Sequence, residues 1–277
     1  MNKRESIEDR MKHNYENRSK TYLTRKVPVI IRLDGRAFHT LTRGLKRPYD
    51  ELFHKAMNET MKCLCKNIQG CKIGYTQSDE ITLLLTDFDT ITTDAWFDFS
   101  VQKMCSISAS MATLAFNKYF QEFSEEVIRQ INSSSICKEK DAKYEMTLKK
   151  IRECGAMFDA RCFNIPETEI VNCFIWRQQD ATRNAIQMLA QTYFSQKTLD
   201  GKSVSDLHDM LMLEKGINFN DMPIEFKRGV CCVKREVECT DRLTGKKIEW
   251  VIDKEIPIFT KDRTYIEKTY EVMNERV

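Results

Sequence analysis

Glycine is scarce in this chain, with 9 in 277 residues, and proline scarcer, with 5. Gly/Pro linkers, collagen-like repeats and low-complexity tracts are therefore excluded. No uninterrupted apolar run reaches the ~18–20 residues of a membrane span. None of the 11 cysteines stands in a C-x-x-C pair and the 4 histidines are scattered, which removes the usual zinc-ligand spacings. A signal-peptide core is also missing. The opening MNKRESIEDRMKHNYENRSK is polar, and Glu5, Glu8 and Asp9 speak against a mitochondrial leader. The expectation is a cytoplasmic protein whose cysteines are free thiols behaving as small hydrophobes. An excess of charge of one sign is lacking too: 44 basic against 41 acidic residues leave +3, which does not dictate polyanion binding. The patterns G-x-x-x-x-G-K-[ST], G-x-G-x-x-G and G-x-S-x-G are all absent. A P-loop NTPase, a dinucleotide fold and a nucleophile elbow are excluded with them.

What is present is an ordinary globular composition, 42% apolar and 31% charged, in a chain long enough for one large domain or two small ones. A strand is predicted over 27–34, running from Val27 to Ile31 into Asp34-Gly35. Leu52, Phe53, Ala56, Met57, Met61 and Leu64 recur at helical spacing behind Asp50, a candidate N-cap. KIGYT and EITLLL read as strands around a tight turn at Gln77-Ser78-Asp79. A helix over about 100–120, a surface loop within 124–150 and a strand over 158–165 follow. Beyond them come helices over 167–197 and 202–216, then a hairpin from Gly229 turning at Asp241–Gly245. The order β–α–β–β–α–β–α matches an α+β, ferredoxin-like split-βαβ antiparallel sheet with helices on one face. The expected division is a catalytic part at 1–165, with 166–277 as a helical region and hairpin completing the same globule.

Two carboxylates organise the functional reading. Asp34 before Gly35 reads, taken alone, as a turn residue, and so does Asp79 in its tight turn. In a split-βαβ sheet, however, the first strand and the hairpin are neighbours, and the two acids then face each other. Carboxylates that close repel unless a cation lies between them. Mg²⁺ suits such a pair, keeping waters or phosphates in its other positions. Two ions about 3.5–4 Å apart can clamp the attacking and leaving oxygens of a nucleotidyl transfer. Gly74 and Ser78 leave room beside the acids. Lys46, Arg47 and Lys103 are candidate phosphate partners: each alone reads better as a solvated charge, and only their grouping around one sheet edge brings the two readings level.

The blocks RLDGRAFH (32–39), RPYD (47–50), QSDE (77–80), FDAR (158–161) and WRQQD (176–180) occur in this order along the chain. Together they resemble the tRNA-His guanylyltransferase superfamily. The resemblance implies a fold similar to the palm of DNA polymerases and nucleotide addition in the 3′-to-5′ direction. It implies two Mg²⁺ ions on Asp34, Asp79 and the Gly35 carbonyl, with Glu80 supporting the metal site. Gly35, Arg36, Ala37, Phe38 and His39 would cradle a nucleoside triphosphate, and Asp50 would lie near the base. Arg47, where the family usually has Lys, would hold a second triphosphate or the activated RNA 5′ end with Ser78 and Lys103. Arg161, Arg177, Gln178, Asp180 and Asn184 would face the RNA or stabilise the part that binds it, with Trp176 as a core aromatic. ATP and GTP or other NTPs are the implied substrates, tRNA the implied partner, and a homotetramer the implied assembly.

One departure bears on the substrate. After WRQ-x-D the eukaryotic tRNA-His enzymes carry HINNLYN, whereas this chain has ATRNAIQ, retaining only Asn184 of the HINN portion. The resemblance therefore points to the guanylyltransferase-like branch, which repairs truncated tRNA 5′ ends by templated addition. Its alternatives are a tRNA-His enzyme adding G at position −1 and an RNA-binding protein with a vestigial centre. Intact Asp34, Asp79 and Glu80 speak against the second. A nucleotidyl cyclase is disfavoured by the WRQQD block.

Overall fold

A computed structural model describes residues 6–133, 139–238 and 246–270. Six strands form one sheet: β1 (Val29–Gly35), β2 (Cys71–Gln77), β3 (Glu80–Leu85), β4 (Phe158–Asn164), β5 (Val230–Glu238) and β6 (Lys246–Asp253). Their order is β4-β1-β3-β2-β5-β6, and every neighbouring pair is antiparallel. The first four make the split-βαβ arrangement expected from the element order. β5 continues the sheet by pairing Cys232 with Gly74 of β2.

The helices are α1 (Ile7–Asn14), α2 (Phe38–Leu41), α3 (Glu51–Asn67), α4 (Val101–Ser133), α5 (Glu139–Cys154) and α6 (Glu167–Tyr193). They are followed by α7 (Gln196–Leu199), α8 (Val204–Lys215), α9 (Ile224–Arg228) and α10 (Thr264–Tyr270). Asp50 caps α3 by accepting the Phe53 N–H, and the helix buries Phe53, Ala56, Met57, Met61 and Leu64.

The two-residue period of β1 divides the core. Val29, Ile31 and Leu33 pack with α3 and α4 residues such as Met57, Met61 and Phe116. Ile30 faces the other way, onto Phe174 and Ile170 of α6. Each such buried aliphatic side chain contributes about 1.5–3 kcal/mol. The helices of the split-βαβ unit lie on one face, as expected, and α6 covers the second. The far half of α6 builds a smaller core with α8 and α9 through Ile186, Leu189, Leu207, Leu211 and Phe226.

The surface loop expected within 124–150 is corrected. α4 runs to Ser133 and α5 begins at Glu139, with residues 134–138 outside the described part. The polar composition hid a periodic stripe: Tyr144, Leu148 and Ile151 are buried, while Val127, Ile128 and Ile131 pack on the main core. The hairpin turn expected at 241–245 also lies outside the described residues. The described cysteines are free thiols. Among the described residues no helix is long and apolar enough to cross a membrane.

Candidate active site

The register of β1 against β3 sets Asp34 opposite Glu80, and the Gly35 N–H donates to the Asp79 carbonyl at 3.1 Å. Ser78 takes a left-handed φ of 53°, which tightens the turn and returns the chain at Asp79. Asp34 and Asp79 are thus brought to one end of the sheet, at the junction of its central strands. Burial, and next the nearby Asp34 charge, push the Asp79 carboxyl up to about 6.

Glu80 is engaged differently. Arg177 Nε lies 2.8 Å from Glu80 Oε1 and Arg32 Nε 3.6 Å from it, charge contacts without hydrogen-bond alignment. Burial raises the Glu80 carboxyl, and the two arginines oppose that. Arg177 also bonds Asp180 at 2.6 Å, and Asp180 accepts from Arg183. An exposed Arg161 lies 3.2 Å from Asp159 and 3.9 Å from Asp34.

The turn after Asp34 depends on glycine. A Cβ at Gly35 would lie 2.4 Å from the Phe38 ring. That ring is wedged among Phe53, Phe116 and Phe158, with centroids 6.0, 5.4 and 5.1 Å away. Ala37, left-handed at φ 55°, turns the chain into α2, whose first amides have no acceptor within the helix.

Two cavities meet at Ser78 and Asp79. One, of about 330 Å³, is lined by Phe38, His39, Arg47, Asp50, Ser78 and Asp79, with Lys46 at its edge. The other, of about 170 Å³, is lined by Asp34, Ser78, Asp79, Glu80, Arg177, Asp180 and Asn184. Several lining residues of the first were not foreseen in the sequence: His54, and Ala185, Met188, Gln191 and Phe226 from the second half of the chain. His54 stacks on Tyr49 with centroids 4.0 Å apart, and burial, with a smaller contribution from Lys254, holds its pKa down at about 3. The second-half residues carry no local motif. Only the packing of α6 and α9 brings them to the cavity.

Other expected site residues are placed elsewhere or hold the fold. Asp50 lines the cavity, but its oxygens accept from the Phe53 and Lys46 amides and from the Tyr144 hydroxyl. Lys103 is not brought to this group within the chain. It lies over the Phe97 ring at 5.7 Å, in an α4 turn beside Cys162, whereas Thr113 of α4 meets Phe158 at the acidic end. Ten helical residues separate those points by about 15 Å. Arg36 turns toward Met157 through its backbone N–H, 2.8 Å from the Met157 carbonyl. Arg177 is buried rather than facing RNA, and Gln178 grips the Pro257 carbonyl and the Phe259 N–H. Trp176, expected in the core, is half-exposed because the adjacent Arg177 takes the inward position.

A split-βαβ sheet with two carboxylates at the end of its central strands, between two cavities, is the scaffold of a palm-type nucleotidyltransferase. A family model described as "Thg1: tRNAHis guanylyltransferase" matches residues 8–166. The chain belongs to the tRNA(His) guanylyltransferase family, whose members are nucleotidyltransferases. It is 30% identical over 254 residues to the uncharacterized protein R259 of Acanthamoeba polyphaga mimivirus, covering 88% of this chain and 82% of that one. It is 23% identical over 236 residues to a probable tRNA(His) guanylyltransferase of Dictyostelium discoideum, covering 80% and 81%. Among solved structures, a bacterial Thg1-like protein in complex with ATP superimposes with a TM-score of 0.78 at 40% identity, covering 96% and 100%. The Saccharomyces cerevisiae enzyme shares the fold, with a TM-score of 0.60 at 20% identity over 86% and 95%.

Proposed function

We propose that the chain restores tRNA 5′ ends by templated 3′-to-5′ nucleotide addition, with nucleoside triphosphates, ATP and GTP among them, as substrates. The carrying observation is the approach of Asp34 and Asp79 through the Gly35–Asp79 backbone bond, at the meeting point of two cavities. Among the described residues no group of three or more His, Cys, Asp or Glu side chains is placed to hold a metal. A bare pair of hard carboxylate oxygens fits Mg²⁺, which completes its shell with phosphate and water. Asp34, Asp79 and the Gly35 carbonyl would hold two such ions. Bound there, they supply Lewis acidity to the attacking hydroxyl and charge neutralisation to the leaving group.

The residues around the pair divide the remaining work. Phe38 and His39 wall the larger cavity, whose size suits a nucleotide, and Arg47 offers a charge to its phosphates. Ser78 lines both cavities, and Asn184 the smaller, on the side where the activated RNA 5′ end would lie. The NTP 3′-hydroxyl then attacks the 5′ phosphorus of the RNA and displaces AMP or pyrophosphate. Arg177 holds Glu80 beside this centre without touching the reactants.

Repair is favoured over addition of G to tRNA-His by ATRNAIQ in place of HINNLYN. The 40% identity to a bacterial Thg1-like protein, against 23% to a probable tRNA(His) guanylyltransferase, points the same way. Working as a cytoplasmic homotetramer, with 1–165 catalytic and 166–277 completing the same globule, belongs to this reading. The test offers 5′-truncated tRNA and full-length tRNA-His with Mg²⁺, ATP and labelled GTP. Templated extension of the truncated species is expected. A single G on tRNA-His alone would sink the repair reading, and no incorporation into either would leave an RNA-binding protein.

A further inference from the structure

Trp176 is 51% exposed on the α6 face of the sheet. Single exposed aromatics are common and by themselves mean little. This ring is held in place. The Arg177 guanidinium carbon lies 4.1 Å from its centroid, and that of Arg32 5.4 Å. Arg177 is itself buried and tied to Glu80 and Asp180, so the indole rests on a fixed cation.

The arginines also converge, through their Nε atoms, on one oxygen of Glu80. Groups meeting at one oxygen span at most about 9 Å between guanidinium carbons, taking C–N bonds of ordinary length. That is less than their two distances to the ring added together, so the two guanidinium carbons and the ring centroid are not collinear. At 51% exposure a large part of the indole is open to solvent. Arg32 precedes Asp34 by two positions on the same face of β1, about 6.6 Å along the strand, so the ring packs on a side chain that shares its sheet face with Asp34. Arg161, opposite Arg32 in the register and half-exposed, adds a further cation beside it.

We infer that Trp176 is a stacking platform for an unpaired nucleobase at the RNA end being extended. Stacking on an aromatic ring accepts any base, because every base has a π face. That tolerance suits a site where the terminal base changes with each addition. Trp176 lines neither cavity, and its neighbour Arg177 lines the smaller one. The inference rests on the function proposed above.

The experiment measures binding of 5′-truncated tRNA, without nucleotide, to the wild type, Trp176→Leu and Trp176→Phe. Leucine keeps apolar bulk without a ring, and phenylalanine keeps a ring. Trp176→Leu is expected to bind about tenfold more weakly, Trp176→Phe close to wild type, and the KM values for ATP and GTP to stay unchanged. RNA should quench the tryptophan emission of the wild type, and less so that of Trp176→Phe. The quench decides the matter if the leucine variant folds poorly, and its absence overturns the inference. Wild-type RNA affinity in a folded Trp176→Leu also overturns it. A loss confined to nucleotide KM does the same, by giving the ring to the free substrate. If the wild type binds no RNA at all, the proposed function itself falls and takes this inference with it.

Discussion

Arg177 Nε sits 2.8 Å from Glu80 Oε1, with the Arg177 side chain 7% exposed and that of Glu80 20%. The WRQQD block and the QSDE block, nearly a hundred residues apart, are thereby one buried ion pair. Removing a single partner leaves the other charge uncompensated. Arg177→Ala should therefore cost about 3–5 kcal/mol, whereas Arg177→Met combined with Glu80→Gln should cost much less. Urea unfolding of the single and double variants checks this, and equal losses would refute the pairing.

The Asp79 carboxyl, raised to about 6 from its ordinary 3.8, holds its proton more tightly in the folded chain than in the unfolded one. Below the ordinary value both states are protonated and the group costs nothing. As pH rises through that value toward 6, the unfolded chain ionises first and the fold loses on the order of 3 kcal/mol. Asp79→Asn should then raise the Tm at pH 7 without metal while abolishing nucleotide incorporation. A melting series from pH 4 to 8 reads the first effect, and a flat difference across it would contradict the assignment.

Magnesium should act in the opposite sense, because a cation between Asp34 and Asp79 stabilises their ionised forms. Millimolar Mg²⁺ is expected to raise the Tm of the wild type by mass action and to leave Asp34→Asn or Asp79→Asn nearly unmoved. Equal shifts in all three proteins would place the cation elsewhere.

Gly35→Ala puts a methyl 2.4 Å from a ring that three other phenylalanines lock in place. Such overpacking costs about 1–3 kcal/mol, and relief is possible only by moving the turn that carries His39. The expected result is a lower Tm together with a higher nucleotide KM, read by melting and steady-state kinetics.

Asp50 tests whether a cavity residue recognises the base or holds the fold. It caps α3 and accepts from the buried Tyr144 hydroxyl. Asp50→Ala should cost about 2–3 kcal/mol through the lost cap and the stranded hydroxyl. The ratio of kcat/KM for GTP over ATP should stay unchanged. A shifted ratio would give Asp50 a direct part in choosing the base.

The sheet order was legible in the sequence because the elements follow one another as β–α–β–β–α–β, with Asp34 at the end of β1 and Asp79 just before β3, and that order made Asp34 and Asp79 neighbours. Lys103 was misplaced because helical spacing tells which residues share a face, not where along the sheet a helix begins. Trp176 and Arg177 exchanged their expected places. Polarity argues for an inward tryptophan, but Glu80 at the sheet surface draws the guanidinium in. α5 was hidden because three buried residues in a charged stretch make a faint stripe.

Adjacent residues of α6 grip distant parts of the chain: Arg177 takes Glu80, and Gln178 takes Pro257 and Phe259. These contacts impose an order of assembly. The acid that emerges at position 80 gains its brace only after a helix made about a hundred residues later, and Gln178 waits for a loop 81 positions beyond it. A growing chain thus carries Asp34, Asp79 and Glu80 long before the residues that brace them are made, and Gln178 gains its partners only when synthesis has passed residue 259.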